Sequence, residues 1–456
     1  MKPKVHLFDG KITLAQQLLL LFWSALLVSV VFLWAIRGVT IFKTDLSGLL
    51  LSIGQLLGLL ATFFALTQFM LMGRIPWIER AFGLDRLASY HKFNGYAAIV
   101  LIIIHPIFIT LYHIVQDNVS YGTAYLSIFR EHPYTLWALV AEILFVAVVI
   151  SSIYIARKHL SFEKWYYVHL MVYLAIVLAA FHQFANGGSL AGSTTATNYW
   201  LSLYAFVALN IIIFRFGQVA YNLLRFQFRV SRVVAETPST TSIYIKGNRL
   251  SRLRVIPGQF IFIRFLNKQF WWQEHPFTVS WVPKQNELRV TIKGVGDFTK
   301  DVASVAPGTR VAVSGPFGRF TRAVKLTDKQ LLIAGGVGIT PIRALMEQSA
   351  EDHFDTVVLY SNRVDTDVPL RSELDDLDRA SKHMSLKYIY SEKTRTKGAL
   401  LGRIDGDYIQ KLVPDYRDRD IYICGPPPMT AALIDQLTKL GVDTERLHYE
   451  VFALHS

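Results

Sequence analysis

The chain has 456 residues, of which 52% are hydrophobic, and a formal charge of +13. That length allows two or three domains, and the apolar share is too high for an ordinary soluble protein. The charge does not point to nucleic acid, since many basic residues lie beside apolar segments, where topology and anionic lipid account for them, and no recognition motif accompanies them. The single cysteine, Cys424, excludes an intramolecular disulfide and a Cys-ligated iron–sulfur cluster.

Apolar segments lie near 14–36, 47–72, 93–115, 134–156, 165–185 and 199–221. Each approaches or exceeds the ~20 residues that a helix needs to cross a bilayer. The first lacks the short apolar region and small-residue cleavage site of a removed signal, so a retained span is expected. Lys2, Lys4 and Lys11 precede the first segment; Arg74, Arg80, Arg86 and Lys92 follow the second; Arg157, Lys158 and Lys164 follow the fourth. The alternate loops hold only Arg37, Lys43 and Arg130, and the loop at 186–198 holds no basic residue. The positive-inside rule then places both termini in the cytoplasm and the 186–198 loop outside, in a multi-pass protein of the plasma or inner membrane.

From Phe226 the pattern becomes short alternating strands punctuated by Pro and Gly: FQFRVSRVVA, TSIYIKG, QFIFIRFL, HPFTVSWV, ELRVTIKG and RVAVSG. This predicts an antiparallel β-barrel. From about Lys329, strands alternate with helices, which predicts an α/β domain with a parallel sheet. The expected domains are 1–222, a six-helix transmembrane bundle; 223–325, the barrel; and 326–456, the α/β domain. In the last, IAGGVGITP (333–341) follows a strand and opens a helix, a pattern suited to a pyrophosphate: glycines admit the backbone and free N–H groups stabilise the anion. ICGPPPM (423–429) ends a later strand, where ligands bind in such sheets.

The segments PGQF (257–260), HPFT (275–278), GDFT (296–299), GPFG (315–318), GGVGITP and CGPPPM occur in the order seen in the ferredoxin–NADP reductase superfamily. With six spans in front, the chain resembles the NADPH oxidase / ferric reductase family, including its bacterial members, over about residues 50–456. The resemblance implies FAD and NADPH, with NADH as the alternative. It assigns Thr278 to the flavin edge as a catalytic hydrogen-bond donor, with Pro276 and Phe277 lining the ring, His275 in a phosphate-binding position, and Ser280 further along the same cofactor-binding strand. Gly296 and Thr299 would hold the FAD pyrophosphate. Gly335, Gly336, Gly338, Thr340 and Pro341 would cradle the NADPH phosphates. Ser361 and Arg363 would read the ribose 2′ position, and Cys424, Gly425 and Pro426 would sit beside the nicotinamide, Cys424 with a part in the hydride step. A C-terminal aromatic stacks on the flavin in many relatives; here Phe452 is the candidate, although the stacking position could fall at Leu454.

Two apolar stretches, HKFNGYAAIVLIIIH (91–105) and HLMVYLAIVLAAFH (169–182), each begin and end with histidine. A flavin takes two electrons as hydride and releases them singly, so a one-electron carrier is needed, and haem held by two imidazoles from neighbouring helices supplies one. His91 with His169, and His105 with His182, would form two bis-histidine haem sites ~20 Å apart along the helices. Helical phase is a difficulty. A 14-residue spacing returns His105 to within ~40° of His91, but 13 residues leave His182 ~140° from His169 on a straight helix. His113, His132 and His159 receive no role.

The expected activity is transmembrane oxidoreduction from cytosolic NADPH to an acceptor outside: dioxygen, giving superoxide, or a ferric chelate. The expected partners are that small molecule and the lipid bilayer, with no nucleic acid and no required protein. Alternatives are an electron-donor subunit for an extracytoplasmic protein or quinone, or a transporter or haem-sensing scaffold. Short polar outer loops count against the first, and the scarcity of intramembrane carboxylates beyond Glu142 against the second.

Overall fold

The computed structural model describes residues 12–37, 45–153, 159–160, 162–187, 193–284, 286–392, 394 and 399–451. Two compact units divide the chain between Arg215 and Phe216.

The first unit is helical: α1 (Leu14–Arg37), α2 (Leu46–Met72), α3 (Pro76–Phe82), α4 (Leu84–Asp117), α5 (Tyr121–Glu131), α6 (Thr135–Ser152), α7 (Phe162–Leu170), α8 (Val172–Asn186) and α9 (Thr194–Asn210). Among the described residues, six stretches are long and apolar enough to cross a membrane: Leu14–Ile36, Leu46–Met72, Leu84–Asp117, Thr135–Ser152, Lys164–Asn186 and Thr194–Phe226. Leu59, Phe63, Leu66, Trp200, Leu203 and Val207 pack between α2 and α9, whereas Leu14, Leu21, Val28 and Phe32 stay exposed on α1. An apolar outer face is what a helix offers to hydrocarbon.

Two segments start earlier than the sequence expectation places them. The third helix starts at Leu84 rather than 93, because Leu87 packs with Ile75, Ile78 and Phe82 and extends the helix beyond its apolar stretch. His91 therefore lies two turns inside α4. The sixth begins at Thr194, where the Ser193 hydroxyl accepts from the Ala196 amide at 3.2 Å. It continues through a π-helical stretch, Ile211–Gly217, into α10 (Gln218–Phe226). Asn222 donates to the Val313 carbonyl at 3.0 Å and Phe226 joins the next core, so the unit boundary falls before 222.

The second unit holds two six-stranded sheets. One is antiparallel, in the order β1-β2-β5-β4-β3-β6, from β1 (Arg229–Thr237), β2 (Thr240–Lys246), β3 (Phe260–Phe265), β4 (His275–Lys284), β5 (Glu287–Lys293) and β6 (Val311–Phe317). All six predicted strands are present. The edges meet through an isolated bridge, Arg229 to Arg310, beside a hydrogen bond from the Val311 amide to the Phe228 carbonyl at 2.9 Å. Ile243, Ile261, Val279, Val290 and Val313 fill the interior. A short helix, α11 (Asp297–Asp301), follows β5.

The other sheet is parallel, in the order β10-β9-β8-β7-β11-β12. Its strands are β7 (Lys329–Gly335), β8 (Asp355–Asn362), β9 (Met384–Tyr390), β10 (Leu400–Leu401), β11 (Asp420–Gly425) and β12 (Leu447–Val451). Helices α12 (Ile339–Glu351), α13 (Arg371–Ala380), α14 (Gly406–Leu412) and α15 (Pro427–Lys439) connect them. Separate cores lie on its two faces, one under α12 with Ile342 and Leu345, the other under α15 with Leu433 and Leu437.

Candidate functional site

The four span histidines come together in two pairs. The imidazole centroids of His91 and His169 are 6.0 Å apart, and those of His105 and His182 are 6.4 Å apart. Two imidazoles on opposite sides of one metal, each nitrogen about 2.0 Å from it, would separate their centroids by roughly 6–6.5 Å. The far nitrogens are engaged by protein in three of the four. His105 Nδ1 lies 2.7 Å from the Gly54 carbonyl, His169 Nδ1 3.3 Å from Ser152 Oγ, and His182 Nδ1 3.1 Å from Asn186 Nδ2. A contact on Nδ1 leaves Nε2 available, the arrangement in which an outer-shell partner fixes a ligating imidazole. The residues fit a bis-imidazole metal.

The fifth apolar segment carries a one-residue break between His169 and His182. Val168 accepts from the Met171 amide in a tight turn, and a new helix begins at Val172. His169 and His182 thus belong to two helices, α7 and α8. On α4, Pro106 follows His105 directly and removes one backbone donor.

One contribution escaped the sequence reading: α2 supports His105. A Cβ on Gly58 would lie 2.9 Å from His105 ring atoms, and one on Gly54 would lie 2.7 Å from Ile109 Cδ1. The signal was available as a small-xxx-small pattern, Gly54–Gly58, inside an apolar helix. His113, given no role, sits with its ring 5.7 Å from that of His132 and its Nδ1 3.1 Å from Asp117.

In the antiparallel sheet, Thr278 on β4 pairs with Phe260 on β3. Its hydroxyl is buried without a hydrogen-bond partner, an orphan that suits a ligand atom. His275 stacks on Phe298 at 4.0 Å between centroids, with Phe277 6.2 Å from the same ring. Pro276 pairs with Phe262 on β3. The Ser280 hydroxyl is bound within the protein, accepting from Arg289 Nε at 3.1 Å and lying 2.9 Å from Thr291 Oγ1. Thr299 closes the turn before α11, its Oγ1 accepting from the Gly296 amide at 2.9 Å.

In the parallel sheet, the ends of β7 and β11 are neighbours. A Cβ on Gly425 would lie 3.2 Å from Gly335 backbone atoms, and one on Gly338 would overlap the Cys424 carbonyl. Gly336 has φ +52°, and its carbonyl accepts from the Tyr360 hydroxyl at 3.1 Å. Thr340 Oγ1 donates to the Val337 carbonyl at 3.1 Å, and Pro341 is buried in α12. Cys424 is fully buried in the core under α12, while Pro426 is exposed. Ser361 is the penultimate residue of β8, and Arg363 just beyond the strand donates from Nε and Nη2 to Glu392 Oε1 at 2.9 and 2.8 Å. Phe452 and Leu454 lie outside the described residues, as do Lys2, Lys4, Lys11, Lys43, Arg157 and Lys158.

Three family models match in series. Residues 57–180 match the ferric reductase like transmembrane component, 226–321 an FAD-binding domain, and 332–434 an oxidoreductase NAD-binding domain. Among curated relatives, a flavohemoprotein of Oceanobacillus iheyensis is 26% identical over 237 residues, covering 49% of this chain and 58% of that protein. The ferredoxin reductase component of a Mycobacterium tuberculosis 3-ketosteroid-9-alpha-monooxygenase is 32% identical over 208 residues, covering 44% and 56%. The matched part is thus under two thirds of either relative. Among solved structures, the FAD/NAD-binding domain of a Vibrio cholerae nitric oxide dioxygenase aligns with a TM-score of 0.45 and 24% identity, over 49% of this chain and 97% of that one.

Six helices long and apolar enough to cross a membrane, an FAD-binding domain and an oxidoreductase NAD-binding domain thus occur in one chain. In domain architecture the chain matches the ferric reductase / NADPH oxidase family.

Proposed function

We propose that this enzyme moves electrons from cytosolic NADPH, with NADH as an alternative donor, through FAD and two b-type haems to an acceptor outside. When bound, FAD converts a hydride into single electrons and haem relays them one at a time. His91 with His169, and His105 with His182, would hold the two haems. The observation that carries this reading is the pair of imidazole separations, 6.0 and 6.4 Å, between α4 and the successive helices α7 and α8. The Gly54 carbonyl and Ser152 hydroxyl orient two of those rings.

The orphan Thr278 hydroxyl would donate to the flavin edge, with Pro276 and Phe277 against the ring. Gly336, open at positive φ, leaves room for a dinucleotide phosphate at the start of α12. Cys424, buried as it is, would act there through its backbone. Both termini would face the cytoplasm. The acceptor would be dioxygen or a ferric chelate, either of which needs only approach to the outer pair.

Protein purified with ample haem supply should contain two haems per FAD and show low-spin Soret and α bands on dithionite reduction. A reduced spectrum carrying flavin changes alone would overturn the reading.

A further inference from the structure

Arg289 on β5 is fully buried in the antiparallel sheet, and its guanidinium reaches out of that sheet. Nε donates to Ser280 Oγ at 3.1 Å and Nη1 to the Tyr244 hydroxyl at 3.2 Å. Nη2 donates to Glu373 Oε2 at 2.9 Å, and Nη1 also contacts the same carboxylate. Glu373 belongs to α13 of the parallel-sheet domain. A second arginine meets it there: Arg343 Nε, from α12, donates to Glu373 Oε2 at 3.1 Å. Arg343 Nη1 reaches the Ser280 carbonyl at 3.4 Å and Glu347 at 2.5 Å. Ser280, two residues after Thr278 on β4, is therefore gripped on its hydroxyl by one arginine and on its carbonyl by the other.

A second tie lies close by. Asp367 accepts from Ser239 Oγ at 3.0 Å and faces Lys293 Nζ at 3.7 Å. Asp367 and Glu373 both come from the stretch that follows β8.

Each domain has a complete core without these contacts. A buried ion pair is weak evidence for net stability, because apolar side chains of similar volume do as well; its better-attested use is to set register. The register set here is that of α12, opened by the Gly-rich turn, against the strand that bears Thr278.

We propose that Arg289 and Glu373 are positioning residues for hydride transfer, clamping the nicotinamide-binding domain against the flavin strand at the reacting distance. The hydride leaves the dihydronicotinamide and is accepted by the flavin; neither side chain touches it. The proposal rests on the reading that the flavin lies at Thr278.

The test uses the full-length, FAD-loaded enzyme in anaerobic single turnovers. Glu373→Gln keeps the shape of a side chain that is 35% exposed, so the fold should tolerate it. Because a misplacement of about 1 Å costs on the order of 100-fold, the limiting rate of flavin reduction should fall at least about 10-fold, with half-saturating NAD(P)H changed by less than about threefold. FAD content should be unchanged, and a primary deuterium isotope effect should be fully expressed. Arg289→Lys should recover part of the rate lost in Arg289→Met, since it restores the charge without the fork. A limiting rate within about twofold of wild type in Glu373→Gln, or a loss that tracks released FAD, would overturn the proposal. Thr278→Val separates the two readings. If it slows flavin reduction while Glu373→Gln does not, only the clamp fails; if neither does, the placement of the flavin fails with it.

Discussion

His182 and His105 face each other, and each has its far nitrogen against a different partner, Asn186 in one and the Gly54 carbonyl in the other. If each pair holds a haem as proposed, His182→Leu should remove one of the two, read as haem-to-flavin stoichiometry, while NAD(P)H still reduces the flavin. Retention of both haems would mean the pairing is wrong. Arg363 illustrates a smaller effect. It is 82% exposed and held by Glu392, itself 49% exposed, and such surface pairs contribute only about 0.2–1 kcal/mol. A ribose 2′-phosphate can compete for that guanidinium. Glu392→Gln should lower the KM for NADPH by about 1.4- to 5-fold, as that energy implies, and leave the KM for NADH in place. An equal change for both nucleotides would exclude Arg363 from reading the 2′ position.

At the level of elements, α2 is a bearing surface. Gly58→Ala puts a methyl group 2.9 Å from the His105 ring, and overpacking of that kind costs about 1–3 kcal/mol. The expected result is loss or spectral shift of one haem only, the one at His105 and His182. Gly122→Ala, where an added Cβ meets nothing within 4 Å, is the control and should leave both spectra intact. The membrane helices and all strands of the antiparallel sheet were legible because their periods, apolar throughout or alternating, are set by their surroundings. The α4 start at Leu84 was not, since charged residues interrupt the apolar run there and a tertiary contact at Leu87 decides the matter. Nor was the Met171 break, because LMVYLA contains neither Gly nor Pro to mark it. Strands β9 and β12 went unread because MSLKYIY and LHYEV are short and mix charged with apolar residues. Of the candidate site, the histidines and glycine turns were legible as motifs. Ser280, whose hydroxyl meets Arg289 and Thr291, needed the sheet register to be understood.

Across the whole molecule, Glu373 and Asp367 are among the carboxylates that join the flavin and nicotinamide domains, and both titrate low. Burial alone would raise Glu373, but hydrogen bonds and charge from Arg289, then Arg343, outweigh it and leave the carboxyl below its ordinary value. Asp367 is also lowered: burial opposes, and Thr237, Ser239 and Lys293 prevail. A group depressed in the folded state stabilises it above the unfolded pKa, and that contribution is lost as pH falls through the folded value. The interdomain contact should thus hold at neutral pH and weaken below about pH 4, under the ordinary carboxylate range. Hydrogen exchange at Ser280 and along α13 should rise in that window before the cores of either domain open. In Glu373→Gln the rise should shrink, leaving the share due to Asp367. Unchanged acid sensitivity in that variant would assign the effect elsewhere.

The acceptor facing His105 Nδ1 is a main-chain oxygen, and this has an evolutionary consequence. A side-chain acceptor can be lost through one codon change, but the Gly54 carbonyl persists whichever amino acid occupies that position. The tautomer of this imidazole therefore cannot be changed by deleting a side-chain acceptor. Natural variation can adjust it only by shifting one rod against another, so divergence among descendants should concentrate in the spacing of the helices and spare the proton on that ring.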